Sequence, residues 1–204
     1  MVDKTTDNKL LIISLYKSDY LAQFHVREIA KLTKKSHVTL LPHLKFLEKD
    51  KILSSKLIGK NKVYSLNLDN IVAKDYIALS EIAESISFLE QVFLIKKIYS
   101  KIFELNLNVT IILFGSYAKR TFKQGSDIDV FCLGDIKQYE LDQIKKLGQI
   151  YGKTINIKRS SLKNFEEGLR KKDALIMEII KKHILLHNQE PFINALWKYY
   201  NEIK

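Results

Sequence analysis

Two acidic residues separated by a single position are the clearest chemical feature of the sequence. Asp127 and Asp129 lie in segment 127–132 (DIDVFC), whose other residues are apolar and predict a buried strand. Successive strand side chains point to opposite faces, so both carboxylates share one face while Ile128 and Val130 enter the core. Two carboxylates this close repel each other unless a cation lies between them. We therefore predict that Asp127 and Asp129 are catalytic residues and ligands of Mg²⁺ or Mn²⁺, which bind carboxylates together with substrate phosphates.

A second apolar strand precedes the acid pair and predicts a phosphate site. Segment 109–114 (VTIILF) is β-branched and apolar, and it ends at Gly115-Ser116. The glycine allows a tight turn and a close approach to a ligand, while a short helix beginning near Ser116 presents N–H groups to an anion. We expect Gly115, Ser116, Arg120 and Ser126 to bind phosphate. Together with the metal pair, these residues predict a site for ATP or another nucleoside triphosphate.

The spacing of these residues also carries a family resemblance. Gly115-Ser116, ten further residues and then Asp127-x-Asp129 resemble the signature of the polymerase-beta-like nucleotidyltransferases, especially their minimal prokaryotic members. The segments GSYAK and GSDIDV resemble the GSxA and SDIDL segments of that family. The resemblance implies that an NTP and Mg²⁺ are bound, and that a nucleotidyl group passes to an acceptor with release of pyrophosphate.

The sequence departs from the family pattern at two positions. Arg120 stands where many relatives carry a glycine, which narrows the phosphate site or adds a cation to it. Asn156, in the predicted strand 153–158, stands where active relatives place a third acid. An amide cannot take a proton from an attacking hydroxyl and is a weaker metal ligand than a carboxylate. We therefore expect metal and nucleotide binding to remain while catalysis is impaired or absent.

Composition sets broad limits on the protein class. The chain has 204 residues, a formal net charge of +11 and 46% hydrophobic residues, which predicts two small globular domains with anionic partners. One cysteine, Cys132, excludes an internal disulfide and is expected to fill the core rather than act as a nucleophile. No apolar leader or membrane-length apolar run is found, so we expect a cytoplasmic protein that does not enter membranes.

The first third of the chain predicts three helices followed by a hairpin. The helices are expected over 7–17, 25–33 and 36–49, and the hairpin over 52–66. This order resembles the winged helix-turn-helix of prokaryotic transcriptional regulators, which implies binding of double-stranded DNA and a role in transcription regulation. Winged helices also serve as dimerisation or protein-docking modules, and that alternative stays open.

The winged-helix resemblance implies a set of DNA contacts in two places. The third helix would enter the major groove while the preceding lysines and the hairpin tip contact phosphates. The candidate residues are Lys34, Lys35, Ser36, His37, Thr39, His43, Lys56, Lys60, Asn61 and Lys62.

The predicted fold class is α+β, with three parts. Residues 1–69 form the winged helix-turn-helix domain, 70–105 a linker helix, and 106–204 the nucleotidyltransferase-like domain with a mixed sheet and flanking helices. Apolar residues recur along the linker at Leu79, Ile82, Ile86, Leu89 and Phe93. This pattern predicts a helix–helix seam, and a homodimer is favoured over docking on the sheet because groove-reading winged helices usually bind as pairs.

The last third of the chain predicts further helices. One is expected from Asp135 to Tyr151, one over 162–170, and one after Asp173 that carries Ile176, Ile180 and Ile184 on one face. His183 and His187 lie four apart on that last helix, a spacing that could bind a metal, although packing is the favoured interpretation.

Three functions remain open from the sequence. The first is a DNA-binding regulator whose second domain binds NTP and Mg²⁺ and transfers a nucleotidyl group. The second is a non-catalytic nucleotide-sensing transcriptional regulator. The third is an antitoxin-like nucleotidyltransferase that modifies or masks a partner protein.

Overall fold

A computed structural model describes residues 4–204, and the side chains from Asn8 onward. The described chain divides into two compact units, one ending at Glu81 and including Tyr200–Lys204, and the other spanning Ile82–Tyr199. The division falls inside two helices, one spanning Ile71–Gln91 and one spanning Glu190–Ile203, and the boundaries predicted at 69/70 and 105/106 stay predictions. Within residues 4–204, no helix combines the length and the apolar character needed to cross a membrane.

The N-terminal unit combines helices with a small antiparallel sheet. Its elements are α1 (Lys4–Ile13), a 3₁₀ turn (Ser14–Tyr16), β1 (Gln23–His25), α2 (Val26–Thr33), α3 (His37–Lys49), β2 (Leu53–Ile58), β3 (Asn61–Leu66) and the start of α4 (Ile71–Gln91). The strands pair in the order β1-β3-β2. The three predicted helices and the hairpin are present with shifted ends, and β1 was not predicted.

A side-chain cap fixes the start of α3, and tight turns join it to its neighbours. The Ser36 hydroxyl accepts a hydrogen bond from Thr39 N at 3.1 Å and caps α3, as a serine at this position is expected to do. Between α2 and α3, Lys34 adopts a left-handed conformation with φ 55°. In the β2–β3 hairpin Ile58 pairs with Asn61, so Gly59 and Lys60 form a two-residue turn.

The second unit is built around a four-stranded mixed sheet. Its elements are the end of α4, α5 (Phe93–Glu104), β4 (Thr110–Phe114), α6 (Gly115–Ala118), β5 (Ile128–Leu133), α7 (Gln138–Ile150), β6 (Ile155–Ser160), α8 (Leu162–Lys171), α9 (Ala174–Lys181), β7 (Ile184–His187) and most of α10 (Glu190–Ile203). The strand order is β6-β5-β4-β7, with β5 and β6 parallel and the other pairs antiparallel. The predicted α+β class with a mixed sheet is therefore confirmed.

Alternating side chains of β5 contribute to opposite faces of this sheet. Ile128, Val130 and Cys132 enter a buried cluster formed with α5 and α7. Burial raises the pKa of the Cys132 thiol to about 12, as expected of a core residue rather than a nucleophile. On the other face Phe131 packs on Phe165 of α8 with ring centres 6.0 Å apart. This second face also carries the aspartates.

Two predictions for the last third of the chain are wrong. Residues 184–187 form strand β7 instead of continuing the helix after Asp173, which ends at Lys181. Consequently His183 and His187 do not share a helix. His183 Nδ1 lies 2.9 Å from Ile179 O, and His187 Nε2 lies 3.0 Å from Leu107 O, so both histidines have structural partners. Helix α7 is also shorter than predicted, because its N-cap is Lys137 and not Asp135.

The predicted linker is two helices, α4 and α5, separated at Val92. Most of the predicted seam is exposed: Leu79 retains 49% of its accessible surface, Ile86 54% and Phe93 64%. Leu89 is partly buried against the core of the second unit. The exposed stripe leaves the predicted homodimer untested.

Candidate active site

The site begins at the turn where β4 meets α6. Gly115 adopts φ +65°, a conformation that glycine reaches without the strain of a side chain. A Cβ atom at this position would lie 3.0 Å from Asp129 Cγ and closer still to its Oδ2. Both the backbone conformation and the packing of Asp129 against the turn therefore require glycine at position 115.

Helix α6 holds the turn in place beside the sheet. Its one-turn backbone is closed by Lys119 N donating to Gly115 O at 3.1 Å and by Thr121 N donating to Ser116 O at 3.0 Å. The buried Tyr117 ring stacks on Phe122 with centres 4.3 Å apart, which fixes the loop that follows. Among the described residues, no hydrogen bond engages the Ser116 hydroxyl, which is therefore available to a ligand.

Asp127, Asp129 and Asn156 converge next to this turn. In the sheet Asp129 pairs with Phe114 on one side and with Asn156 on the other. Asn156 Nδ2 lies 3.2 Å from Asp129 Oδ1 and 3.4 Å from Asp127 Oδ2. The predicted common face of the two carboxylates is thus present, and Asn156 lies where the resemblance expects the third acid.

The donor set fits a single divalent cation that also contacts substrate phosphates. Among the side chains described, those of residues 8–204, no group of three or more His, Cys, Asp or Glu could hold a metal. Asp127 and Asp129 supply carboxylate oxygens, and Asn156 can present its amide oxygen by rotating its terminal torsion. Mg²⁺ commonly takes one or two carboxylates and completes its coordination with phosphates and water. These residues would hold it.

A cavity of about 760 Å³ opens beside Asp129 and Gly115. This volume lies in the range typical of small-ligand sites, about 300–1,000 Å³. Its polar lining also includes Asn156 and four residues that sequence reasoning did not select, namely Lys145, Lys153, Lys158 and Glu178. The lysines offer positive charge to a polyphosphate.

The residues missed by sequence reasoning come from three separate elements. Lys145 lies on α7, Lys153 precedes β6, and Glu178 lies on α9. Only Lys158 carried a sequence signal, because it follows Asn156 by two positions on the same strand and so shares its face. The others approach the cavity through tertiary packing that no local pattern encodes.

Arg120 and Ser126, the other predicted phosphate ligands, are engaged elsewhere. Arg120 adopts φ +57°, a conformation that glycine reaches more readily than other residues, and its guanidinium donates to Gln91 Oε1 and lies 5.2 Å from the Phe88 ring centre. The Ser126 hydroxyl accepts from Lys123 N at 2.8 Å and closes a tight turn. Neither side chain lines the cavity, and their binding of phosphate stays a prediction.

The residues predicted to bind DNA differ in how far they are exposed to solvent. Those before and within the first turn of α3 are exposed, as are the lysines of the hairpin: Lys34, Lys35, Ser36, His37, Thr39, Lys56, Lys60 and Lys62. Lys62 forms a 2.6 Å ion pair with Glu48. The prediction for His43 is wrong, because only 8% of it is exposed and its Nε2 lies 3.2 Å from Asn8 Nδ2.

Comparison with known proteins finds a similarity, largely in the second half of the chain. No curated protein and no solved structure matches it. The family model of the nucleotidyltransferase domain matches residues 94–193, slightly less than half of the chain. The matched region contains the Gly115 turn, the aspartate pair, Asn156 and the cavity lining. Residues 94–193 are therefore similar to nucleotidyltransferase domains.

Proposed function

We propose that residues 94–193 bind a nucleoside triphosphate with Mg²⁺ and transfer its nucleotidyl group to an acceptor hydroxyl, releasing pyrophosphate. The observation that supports this proposal best is that Asn156 Nδ2 lies within 3.4 Å of a carboxylate oxygen of both Asp127 and Asp129, beside the Gly115 turn. The family match at residues 94–193 supports the same reaction class.

Each part of the site has a distinct role in this reaction. A bound Mg²⁺ would supply charge neutralisation on the triphosphate and acidify the acceptor hydroxyl. Asp127 and Asp129 hold that cation on one face of β5. The side chain of Ser116 donates a hydrogen bond to a phosphate oxygen, and the missing Cβ of Gly115 lets the phosphate approach the backbone. Lys145, Lys153 and Lys158 offset the negative charge of the substrate.

The proposed transfer breaks one bond of the triphosphate and requires a group that accepts the acceptor's proton. The acceptor oxygen attacks the α-phosphorus, the bond to the bridging oxygen breaks, and pyrophosphate leaves with the electron pair. The acceptor proton must move to a base. Asn156 cannot be this base, because an amide has no site that takes up a proton at neutral pH.

Calorimetry tests the nucleotide site directly. The full chain should release heat on titration with at least one of ATP, GTP, CTP and UTP in the presence of Mg²⁺, and Mn²⁺ should substitute. Asp129→Asn should weaken metal-dependent binding by at least about 100-fold, because loss of even an outer-shell partner costs about 10- to 100-fold. Asp142→Asn on α7, a control that also removes one exposed carboxylate, should bind as the wild type does. No heat with any nucleotide would refute the proposal.

Labelling tests whether transfer accompanies binding. NTPs labelled at the α-phosphate should label the chain, an added RNA or DNA, or a partner protein, and Asp127→Ala should abolish the signal. Asn156 favours a second candidate, a non-catalytic nucleotide sensor, because it removes the family's usual base. Binding without labelling would favour the sensor, and new labelling after Asn156→Asp would indicate that activity was lost by this substitution.

For the N-terminal unit we propose a winged helix-turn-helix that binds double-stranded DNA. The order of elements from α1 to β3, the exposed first turn of α3 and the basic β2–β3 turn support this proposal. Fluorescence anisotropy with random duplex DNA should show binding that weakens steeply with added salt. Absence of binding at low salt would favour the docking or dimerisation alternative.

We propose that the protein acts in the cytoplasm. Two kinds of protein partner are proposed for it there, a second copy of the chain and a protein acceptor. The exposed apolar stripe Leu79, Ile82, Ile86 and Phe93 supports a homodimer, and light scattering of wild type and Ile86→Glu would test it. In the antitoxin-like alternative the acceptor is a protein, and labelling of a co-purified partner instead of nucleic acid would support it.

A further inference from the structure

Helix α9 brings a second carboxylate to the cavity. Glu178 and Leu175, three residues apart on α9, both line the space that contains Asp129 and Asn156. The neighbouring Ile176, Ile179 and Ile180 are buried, whereas Glu178 is exposed. The amphipathic pattern of α9 therefore turns this glutamate toward the cavity.

We propose that Glu178 is the general base of the nucleotidyl transfer, in place of the acid that Asn156 lacks. The inference rests on the proposed transferase function. Besides Asp129, Glu178 is the only carboxylate that lines the cavity among the described residues. The three lysines there, as ammonium groups, have no lone pair to accept a proton. Glu178 is thus the available proton acceptor outside the metal-binding pair.

Its position separates Glu178 from the metal ligands. Among residues 8–204, whose side chains are described, no three His, Cys, Asp or Glu side chains are grouped closely enough to hold a metal ion, and this includes Glu178 with Asp127 and Asp129. A metal-binding role would require that closeness. A base requires instead that the carboxylate reach the acceptor hydroxyl, which enters the cavity with the acceptor.

An ion pair orients the glutamate. Lys119 Nζ, directly after α6, lies 2.7 Å from Glu178 Oε1. Within the described part of the chain, no hydrogen bond reaches Oε2. One carboxylate oxygen is therefore held by the residue next to the phosphate turn, and the other is available to the acceptor.

The proton balance of the step follows. Glu178 Oε2 takes the proton from the acceptor O–H as that oxygen bonds to the α-phosphorus. The bond between the α-phosphorus and the bridging oxygen breaks, and pyrophosphate carries away the electron pair. Protonated Glu178 then returns its proton to water.

The test compares Glu178→Gln with Lys119→Gln in the full chain. Both substitutions break the same ion pair, but only the first removes the carboxylate. With α-labelled ATP, GTP, CTP and UTP, and with the chain itself, total RNA and duplex DNA as acceptors, Glu178→Gln should lower kcat by about 100-fold or more. Its nucleotide Kd by calorimetry should remain near the wild-type value. Lys119→Gln, which keeps the carboxylate but loses the ion pair that orients it, should lower kcat by much less than Glu178→Gln does.

Two readouts separate a base from a structural residue. The wild type should lose kcat as acid protonates the base, and Glu178→Gln should lack this acidic limb of the pH profile. The double variant Asn156→Asp/Glu178→Gln restores an acid at position 156. Its kcat should be at least about tenfold higher than that of Glu178→Gln alone, since a positioned base is worth about 100-fold or more.

Several results would overturn the inference. Wild-type kcat in Glu178→Gln, equal losses in Glu178→Gln and Lys119→Gln, or an unchanged pH profile would each exclude the base role while leaving the transferase intact. A wild type that binds nucleotide but labels no acceptor would refute transfer and base together. A wild-type chain that binds no nucleotide would refute the proposed nucleotide site.

Discussion

The two units of the chain present their polar side chains in opposite ways. In the second unit the side chains of Asp127, Asp129 and Asn156 meet at the start of β5, where β5 pairs with β6. In the N-terminal unit the exposed cations lie apart, before α3 and on the β2–β3 turn. Converged carboxylates suit one small cation and its ligand, whereas dispersed cations act on successive charges of a long polyanion. Each unit can therefore be impaired without the other.

The largest effect is expected from Gly115→Ala. The new methyl group would overlap the Asp129 carboxylate, and the φ of +65° would strain any side chain. We expect nucleotide affinity in calorimetry to fall by about 10- to 100-fold, because the proposed metal ligand Asp129 must shift and losing even an outer-shell partner of a metal costs about that much. DNA binding, measured by anisotropy, should persist.

Gly59→Ala is the matched control for Gly115→Ala. Gly59 has a similar φ of +60°, but an added Cβ would meet nothing within 4 Å. We expect a loss of about 1 kcal/mol in stability from the backbone strain, and unchanged nucleotide binding. Equal nucleotide affinities of the two variants would show that contact with Asp129 does not matter.

The next largest effect is expected from replacing three exposed lysines of the N-terminal unit. Lys34, Lys35 and Lys60 changed together to Gln should lower duplex affinity and flatten its salt dependence by about one unit of slope for each phosphate contact removed. Nucleotide binding should not change.

A control triple with the same loss of charge is Lys96, Lys163 and Lys181 to Gln, all exposed in the other unit. If this triple weakens duplex binding equally, net charge and not the surface of the N-terminal unit drives the affinity.

A smaller effect is expected at Ser36, which was predicted to contact DNA and is observed to cap α3. Ser36→Ala should reduce the free energy of unfolding by about 1 kcal/mol, because Thr39 N loses its acceptor. Ser36→Asp should retain the cap and hence the stability, yet weaken duplex binding through its added negative charge. Thermal unfolding and anisotropy measure the two effects, and an unaltered unfolding temperature in Ser36→Ala would contradict the capping role.

The smallest effect concerns the ion pair of the hairpin. The hydrogen bond from Lys62, and then that from Ser55, lower the pKa of the Glu48 carboxyl. A lowered folded-state pKa adds stability above the unfolded pKa that is lost as the pH falls through the folded value, and an exposed pair contributes about 0.2–1 kcal/mol. Lys62→Met should raise the Glu48 pKa toward its ordinary value in NMR titrations, whereas Lys56→Met should not.

The sequence predicted the centre of the candidate site because the signals there are local. The apolar run before Gly115, the alternation around Asp127 and Asp129, and the position of Asn156 depend on near neighbours in the chain. In the sheet they become β4, β5 and the register of β6. The turn, the shared face of the carboxylates and the amide beside them therefore agree with the sequence-based expectation.

The sequence did not predict features that depend on tertiary packing. Ile176, Ile180 and Ile184 recur every four residues, so β7 resembled a continuation of α9, although pairing with β4 determines its conformation. Strand β1 has only three residues and gives too short a pattern to identify. Glu178 was missed because it joins the cavity from α9, about fifty residues after Asp127 in the chain.

The conformation of Arg120 has a consequence for mutations far from the cavity. A non-glycine residue with φ +57° is retained here by the contacts of its guanidinium with Gln91 and Phe88. The segment after the Gly115 turn is thus held in its conformation by the contacts of a side chain. Substitutions of Gln91 or Phe88 would therefore disturb the turn at Gly115, although neither residue lines it. A screen for variants with impaired nucleotide binding should find positions in α4 as well as Gly115, Ser116, Asp127 and Asp129.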